Sequence, residues 1–219
     1  MIFFFPAVFV VSALVHLYAS LKQNNLLRTV TKPFLLPSLL GWYCTVCPEP
    51  LGLVIAALLA SWIGDVLLVL KSSKCFALGG FSFTVSHICF ISAYVSFVDF
   101  SVIPLWAVVL CAVFYFTVSL LVFRGLKDSL SGILFYSMLG YLLVNGAMNC
   151  FALYQLISQA NTAALITFIG ALLFFVSDSM LFYVRFKQDT VFKSHFPVML
   201  TYIAAEFLIV CGFILHAAG

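Results

Sequence analysis

Apolar residues run through this chain in long unbroken stretches, and the charged residues gather in the short segments between them. Outer-membrane-type strands would alternate polar and apolar positions over short segments. These stretches do not alternate, so they read as helices. Eight are predicted, at roughly 3–21, 33–47, 52–70, 78–98, 102–123, 132–156, 163–184 and 196–217. The second is short and carries Pro33 and Pro37, and hydropathy alone would omit it. Charge restores it. With eight spans, Lys22, Arg28 and Lys32 share a side with Lys71 and Lys74, with Arg124 and Lys127, and with Arg185, Lys187 and Lys193. Those are all 10 Lys and Arg residues of the chain. The opposite loops hold only Glu49 and Asp99 as charges. The positive-inside rule then puts both termini on the non-cytosolic side.

Composition agrees. The 219 residues are 65% hydrophobic and 8% charged, with a mean hydropathy of +1.22. A soluble domain cannot hide that much apolar surface, so the expected fold class is all-α: a single polytopic domain, residues 1–219, built as a bundle of eight transmembrane helices. Met1-Ile-Phe-Phe-Phe-Pro lacks a basic region and a small-residue cleavage site, and reads as the start of a retained first span. With no retention motif, the endoplasmic reticulum is the default membrane for a eukaryotic source and the inner membrane for a bacterial one. The seven cysteines bring no strong pattern. Cys44-Thr-Val-Cys47 has no second C-x-x-C or histidine pair beside it, and reads as inert.

Against this background two acids stand out. Ser61-Trp-Ile-Gly-Asp65-Val-Leu-Leu and Phe174-Phe-Val-Ser-Asp178-Ser-Met-Leu lie inside two apolar runs. In each, a small residue precedes the aspartate, a leucine follows three positions on, and a basic residue (Lys71, Arg185) closes the run. An ionised carboxylate at the centre of a membrane helix costs about 2.5–3.5 kcal/mol even on the lenient insertion scale. Counting back from the basic ends places both roughly 10 Å inside the same boundary. The third and seventh spans that carry them are four apart, as a parallel duplication of a four-helix unit would give.

Other polar residues recur at helical spacing. Ser137, Tyr141, Asn145 and Asn149 make one stripe on the sixth span; Thr84 and His87 share a face of the fourth, and Tyr202 and Glu206 a face of the eighth. Such stripes turn into the bundle to find hydrogen bonds. His16, His195 and His216 have no evident constellation and read as structural or terminal.

Taken in order, Gly64-Asp65-x-x-Leu68, Phe83-x-x-x-His87, Gly170-Ala-x-x-Phe174-x-x-Ser177-Asp178-x-x-Leu181 and Tyr202-x-Ala-Ala-Glu206-x-Leu-Ile, with Lys32-Pro33 ahead of them, resemble the YhhN-like lysoplasmalogenase family of integral membrane proteins. The resemblance spans essentially the whole chain. One position departs: the family commonly has glutamine where this chain has Glu206, which adds a third ionisable group.

The resemblance implies hydrolysis of the vinyl ether bond of lysoplasmalogens to a fatty aldehyde and glycerophosphoethanolamine or glycerophosphocholine. That chemistry suits a pair of acids. Protonating the β-carbon gives an oxocarbenium ion, water captures it as a hemiacetal, and the hemiacetal collapses. One acid must donate a proton while a carboxylate stabilises the cation and activates water, as in glycoside hydrolysis. Asp65 and Asp178 are the expected catalytic pair, their roles not separable from sequence. His87, Lys32, Tyr141, Asn145, Tyr202, Glu206 and Arg185 are expected to support them or bind substrate, with the basic end holding the phosphate. The expected partners are a lysophospholipid and the bilayer, with no nucleic acid, no cofactor and no metal. Two other readings use the same residues. His87, Asp65 and Asp178 could ligate a catalytic metal, or the acids could form a proton relay in a lipid transporter or receptor.

Overall fold

A computed structural model describes residues 3–70, 72–129, 133–187 and 195–218. Lys71 and Lys193, two of the basic residues used above, lie outside the described residues. There are eight α-helices and, among the described residues, no strand: α1 Phe4–Leu21, α2 Asn25–Val46, α3 Gly52–Val69, α4 Ser73–Val95, α5 Leu105–Leu126, α6 Ile133–Gln159, α7 Thr162–Phe186 and α8 Phe196–Ala218. Six of them, all but α2 and α6, are long and apolar enough to cross a membrane.

α2 departs furthest from expectation. It begins at Asn25, well before the expected start at 33, because Asn24 caps it: the Asn24 side-chain oxygen accepts from the Leu27 N–H at 3.1 Å. Arg28 and Lys32 therefore ride on a helix rather than a loop. Pro37 has no N–H to offer the carbonyl of Pro33, one turn back. Trp62 of α3 repairs the gap, its indole N–H donating to the Pro33 oxygen at 3.0 Å. With 22 residues, α2 is roughly 33 Å long, enough to span hydrocarbon despite its prolines.

Neighbouring helices close a ring in the order α1, α2, α3, α4, α6, α7, α8 and back to α1. α5 stands outside it, against α6 and α7. The tightest seams are α3–α4 and α7–α8, and glycines allow them. A Cβ on Gly64 would meet the Phe83 ring at 2.6 Å and the Gly79 carbonyl at 3.2 Å; one on Gly170 would meet the Ala205 carbonyl at 2.9 Å. Membrane helices gain most of their attraction from such close backbone approach. The small residue before each aspartate faces the following helix, Gly64 against Gly79 and Ser177 through a 3.0 Å hydrogen bond to the Val198 carbonyl. Inside the ring, Phe90, Tyr94 and Phe213 stack in one half, leaving the other half for the acids.

Gly170→Ala should therefore destabilise the detergent-solubilised protein by about 1–3 kcal/mol, the usual effect of overpacking. Gly140→Ala adds a Cβ that meets nothing within 4 Å and should not. Thermal unfolding of the two variants checks this; equal midpoints would show that the α7–α8 seam yields freely.

Candidate active site

Six of the seven ring helices send a polar side chain into one cavity or its wall. From α2, Lys32 reaches Asp65 of α3, with Nζ 2.9 Å from Oδ1. From α8, the Tyr202 hydroxyl donates to the other oxygen, Oδ2, at 2.9 Å. Asp65 is 1% exposed, so its charge is met by the protein and not by water. Extending α2 back over Lys32 is what allows this pair. A lysine in the preceding loop would have stayed at the interface.

Asp178 of α7, 5% exposed, is met differently. Its Oδ2 accepts from the Tyr141 hydroxyl and, at 2.7 Å, from the Asn145 amide, both on α6. Two positions of the α6 stripe thus serve the acid directly. Asn149, the next, supports them by donating to the Asn145 carbonyl at 3.0 Å and accepting from Tyr115 at 3.2 Å.

His87 of α4 lies between the ring's two acidic walls. Its Nδ1 is 2.5 Å from the Phe83 carbonyl, which can only accept, so that nitrogen carries the hydrogen. Nε2 of the neutral ring is then a bare acceptor. It makes no hydrogen bond and lies 3.7 Å from Asp178 Oδ2. At that separation the two are not hydrogen-bonded, and a small shift of either would let them share a proton. Phe83, Phe174, Tyr141 and Tyr202 wall the imidazole and the acids, His87 edge-on to Phe174 at 4.9 Å and to Tyr141 at 5.3 Å.

The cavity has a volume of about 390 Å³, within the range of small-molecule pockets. Both carboxylates line it, as do Lys32, Tyr141 and Tyr202; its remaining lining is mainly apolar, including Leu68, Phe76, Met138, Leu181 and Phe182.

The other expected residues fall around this centre. Glu206, one turn beyond Tyr202, is 1% exposed, and neither of its carboxyl oxygens has a hydrogen-bond partner. Arg185 is exposed at the end of α7, its guanidinium 5.3 Å over the Phe76 ring, outside the cavity lining. His16 is buried and bonded to Thr31 at 2.8 Å, a structural contact. Among the described residues no three His, Cys, Asp or Glu side chains converge to hold a metal ion, so the His87–Asp65–Asp178 ligand set does not assemble. Sequence reading missed the Phe83 carbonyl that sets the His87 tautomer. The one-turn spacing of Phe83 and His87 was its only trace.

Residues 27–213 match the model of the YhhN family. The chain belongs to that family. No curated protein and no solved structure matches it. The matched span begins inside α2 and ends in α8, so it contains every residue of the cavity described above. In this YhhN-family chain the Lys32–Asp65 pair joins α2 to α3 deep in the bundle. Lys32→Met strands a buried carboxylate and should destabilise the protein by about 3–5 kcal/mol. Adding Asp65→Asn in the same chain should restore most of the loss. A double variant no more stable than Lys32→Met alone, by thermal unfolding, would show that the pair does not hold these helices together.

Proposed function

We propose that this chain hydrolyses the vinyl ether bond of a lysoplasmalogen, giving a fatty aldehyde and glycerophosphoethanolamine or glycerophosphocholine. Membership of the YhhN family, which includes lysoplasmalogenases, supports the reaction class. The observation that carries the reading is the unequal provision for two acids in one cavity. Asp65 faces an ammonium and a phenol, partners that favour a carboxylate. Asp178 has only the neutral donors Tyr141 and Asn145 and no cation against it, so its charge is offset less than that of Asp65, which makes it the acid assigned the proton.

Roles follow from that difference. The proton held by Asp178 and His87 passes to the β-carbon of the vinyl ether, whose π electrons form the new C–H bond. Positive charge develops on the ether carbon and oxygen. Asp65 stabilises it, and its carboxylate takes a proton from the water that attacks the α-carbon. The hemiacetal so formed collapses to aldehyde and glycerol hydroxyl. In the collapse Asp65 gives the proton it took from water to the glycerol oxygen as the C–O bond breaks, and the hemiacetal hydroxyl proton returns to the Asp178–His87 pair as the aldehyde forms, restoring the start. Water is the only co-reactant. Tyr141, Asn145 and Tyr202 hold the carboxyls in place, and Arg185, beyond the aromatic end of the cavity, is positioned for the phosphate. The same reading has all eight helices cross the membrane with both termini non-cytosolic, α2 and α6 being long enough to do so.

Asp65→Asn and Asp178→Asn should each lower aldehyde release by about 10²–10⁴-fold, the range of acid–base contributions, in a protein that still folds and inserts. Because the two act as a unit, the double variant should be little worse than either single one. Glu206→Gln keeps the side chain's shape and should retain activity. Turnover of lysoplasmenyl against matched lysoacyl lipid by the purified protein measures all three. Aspartate variants that keep most of the wild-type rate would sink the two-carboxylate chemistry.

A further inference from the structure

A cavity that performs this reaction must admit a molecule whose reactive bond sits between a charged head and a hydrocarbon tail. The end of the cavity near the start of α4 and the end of α7 is filled with rings. Phe76 meets Phe186 edge-on at 5.3 Å and Phe182 at 6.4 Å, and Arg185 caps the cluster. The far half of the ring is packed by Phe90, Tyr94 and Phe213. The far half is thus packed against a hydrocarbon chain, and the Phe76 end, whose rings line the cavity, is the one toward Arg185, where the head is placed.

The side between α4 and α6 is different. These helices are neighbours in the ring without being neighbours in sequence, and α5, which lies between them in the chain, packs on α6 and α7 instead. They are tied at their C-terminal ends, where Gln159 donates to the Phe97 carbonyl at 3.4 Å and the Asp99 N–H donates to Ser158 at 2.9 Å. Toward their N-terminal ends each carries a glycine, Gly80 on α4 and Gly140 on α6. Both glycines line the cavity, and a Cβ built on either meets nothing within 4 Å. Beside them Phe81 also lines the cavity and is 68% exposed. Gly140 immediately precedes Tyr141, which binds Asp178.

We infer that this gap is the lateral entrance of the site and the seat of the substrate's hydrocarbon chain. A single-chain lipid enters sideways from the bilayer, its chain passes between Gly80 and Gly140, and the end of its tail stays in lipid. Bare backbone at both glycines gives one chain room while α4 and α6 stay in contact beyond. The cavity volume, near the low end for ligand pockets, suits one chain better than two. Surrounding lipid supplies the occupant, and Leu68, Met138 and Leu181 give the chain an apolar bed continuous with the carboxylates. The identity of the reacting bond rests on the proposed hydrolysis; the entrance itself is testable without it.

Gly80→Phe and Gly140→Phe place a ring at positions where a Cβ meets nothing within 4 Å. Gly52→Phe is the control, since Gly52 also faces open space but does not line the cavity. Unchanged thermal midpoints establish that the variants fold. For a long-chain alkenyl lysolipid, both gap variants should lose about tenfold or more in kcat/KM, and Gly52→Phe should match the wild type. A butenyl analogue, whose chain ends inside the cavity, should be affected far less. Equal loss for both chain lengths, or no loss, would overturn the entrance. Independently of turnover, a long-chain lysolipid with a mid-chain diazirine should label Phe81 or Thr84, and the gap variants should abolish that labelling. Labelling that ignores both glycines would refute the entrance while leaving the carboxylate chemistry standing. Glycine-dependent labelling of a protein that releases no aldehyde would do the reverse.

Discussion

Two carboxyl groups buried in a hydrocarbon bundle set the terms for the rest of this molecule. Neither is satisfied by water, and each leaves a few kcal/mol to be offset by neighbours. The chain answers twice and differently. For Asp65 it brings a lysine out of the interface on a helix that runs through two prolines, Trp62 taking up the carbonyl that Pro37 leaves free. For Asp178 it lays a stripe of tyrosine and asparagine along α6 and turns a histidine lone pair toward the acid. A symmetric solution would have made two equivalent acids. In the reaction proposed above, the asymmetric one separates a carboxylate from a proton donor, which is what protonation of an electron-rich carbon needs.

Much of the centre was legible in the sequence because membrane helices make polar residues conspicuous. A lone aspartate in an apolar run, or Tyr141 and Asn145 one turn apart, leaves few places to point except inward. The matched depth of Asp65 and Asp178, counted from basic residues, agrees with their lining one cavity. The α2 boundary was not legible. Hydropathy reads Arg28 and Lys32 as loop and starts the span only at Pro33, and the Asn24 cap and the distant Trp62 indole explain why the helix runs from Asn25 through them. Lys32 was accordingly assigned to the interface, whereas its ammonium lies against Asp65. The glycines at the α4–α6 gap left no trace either. Gly80 looks like Gly79 in sequence, yet a Cβ on Gly79 would meet Leu68 at 3.2 Å and one on Gly80 meets nothing within 4 Å.

The ring arrangement connects these observations. With α5 displaced to the outside, α4 and α6 become neighbours that no short loop joins, and the seam between them can stay open at one end. The seam lies over the cavity wall that carries Tyr141 and the lone pair of His87. On the entrance proposed above, the lipid phase that makes the acids expensive to bury is also the phase from which an amphiphile reaches them. Glu206, buried one turn deeper without a partner, is the residue this scheme uses least.

The central claim is that a proton is delivered to carbon from the Asp178–His87 pair. Turnover of an alkenyl lysolipid in deuterium oxide, with the aldehyde trapped at once by borohydride reduction, tests it directly. Protonation at the β-carbon predicts a single solvent deuterium on the carbon next to the former carbonyl, together with slower turnover than in light water. Product without deuterium at that carbon would contradict it, because the vinyl ether would then have been opened without protonation at carbon.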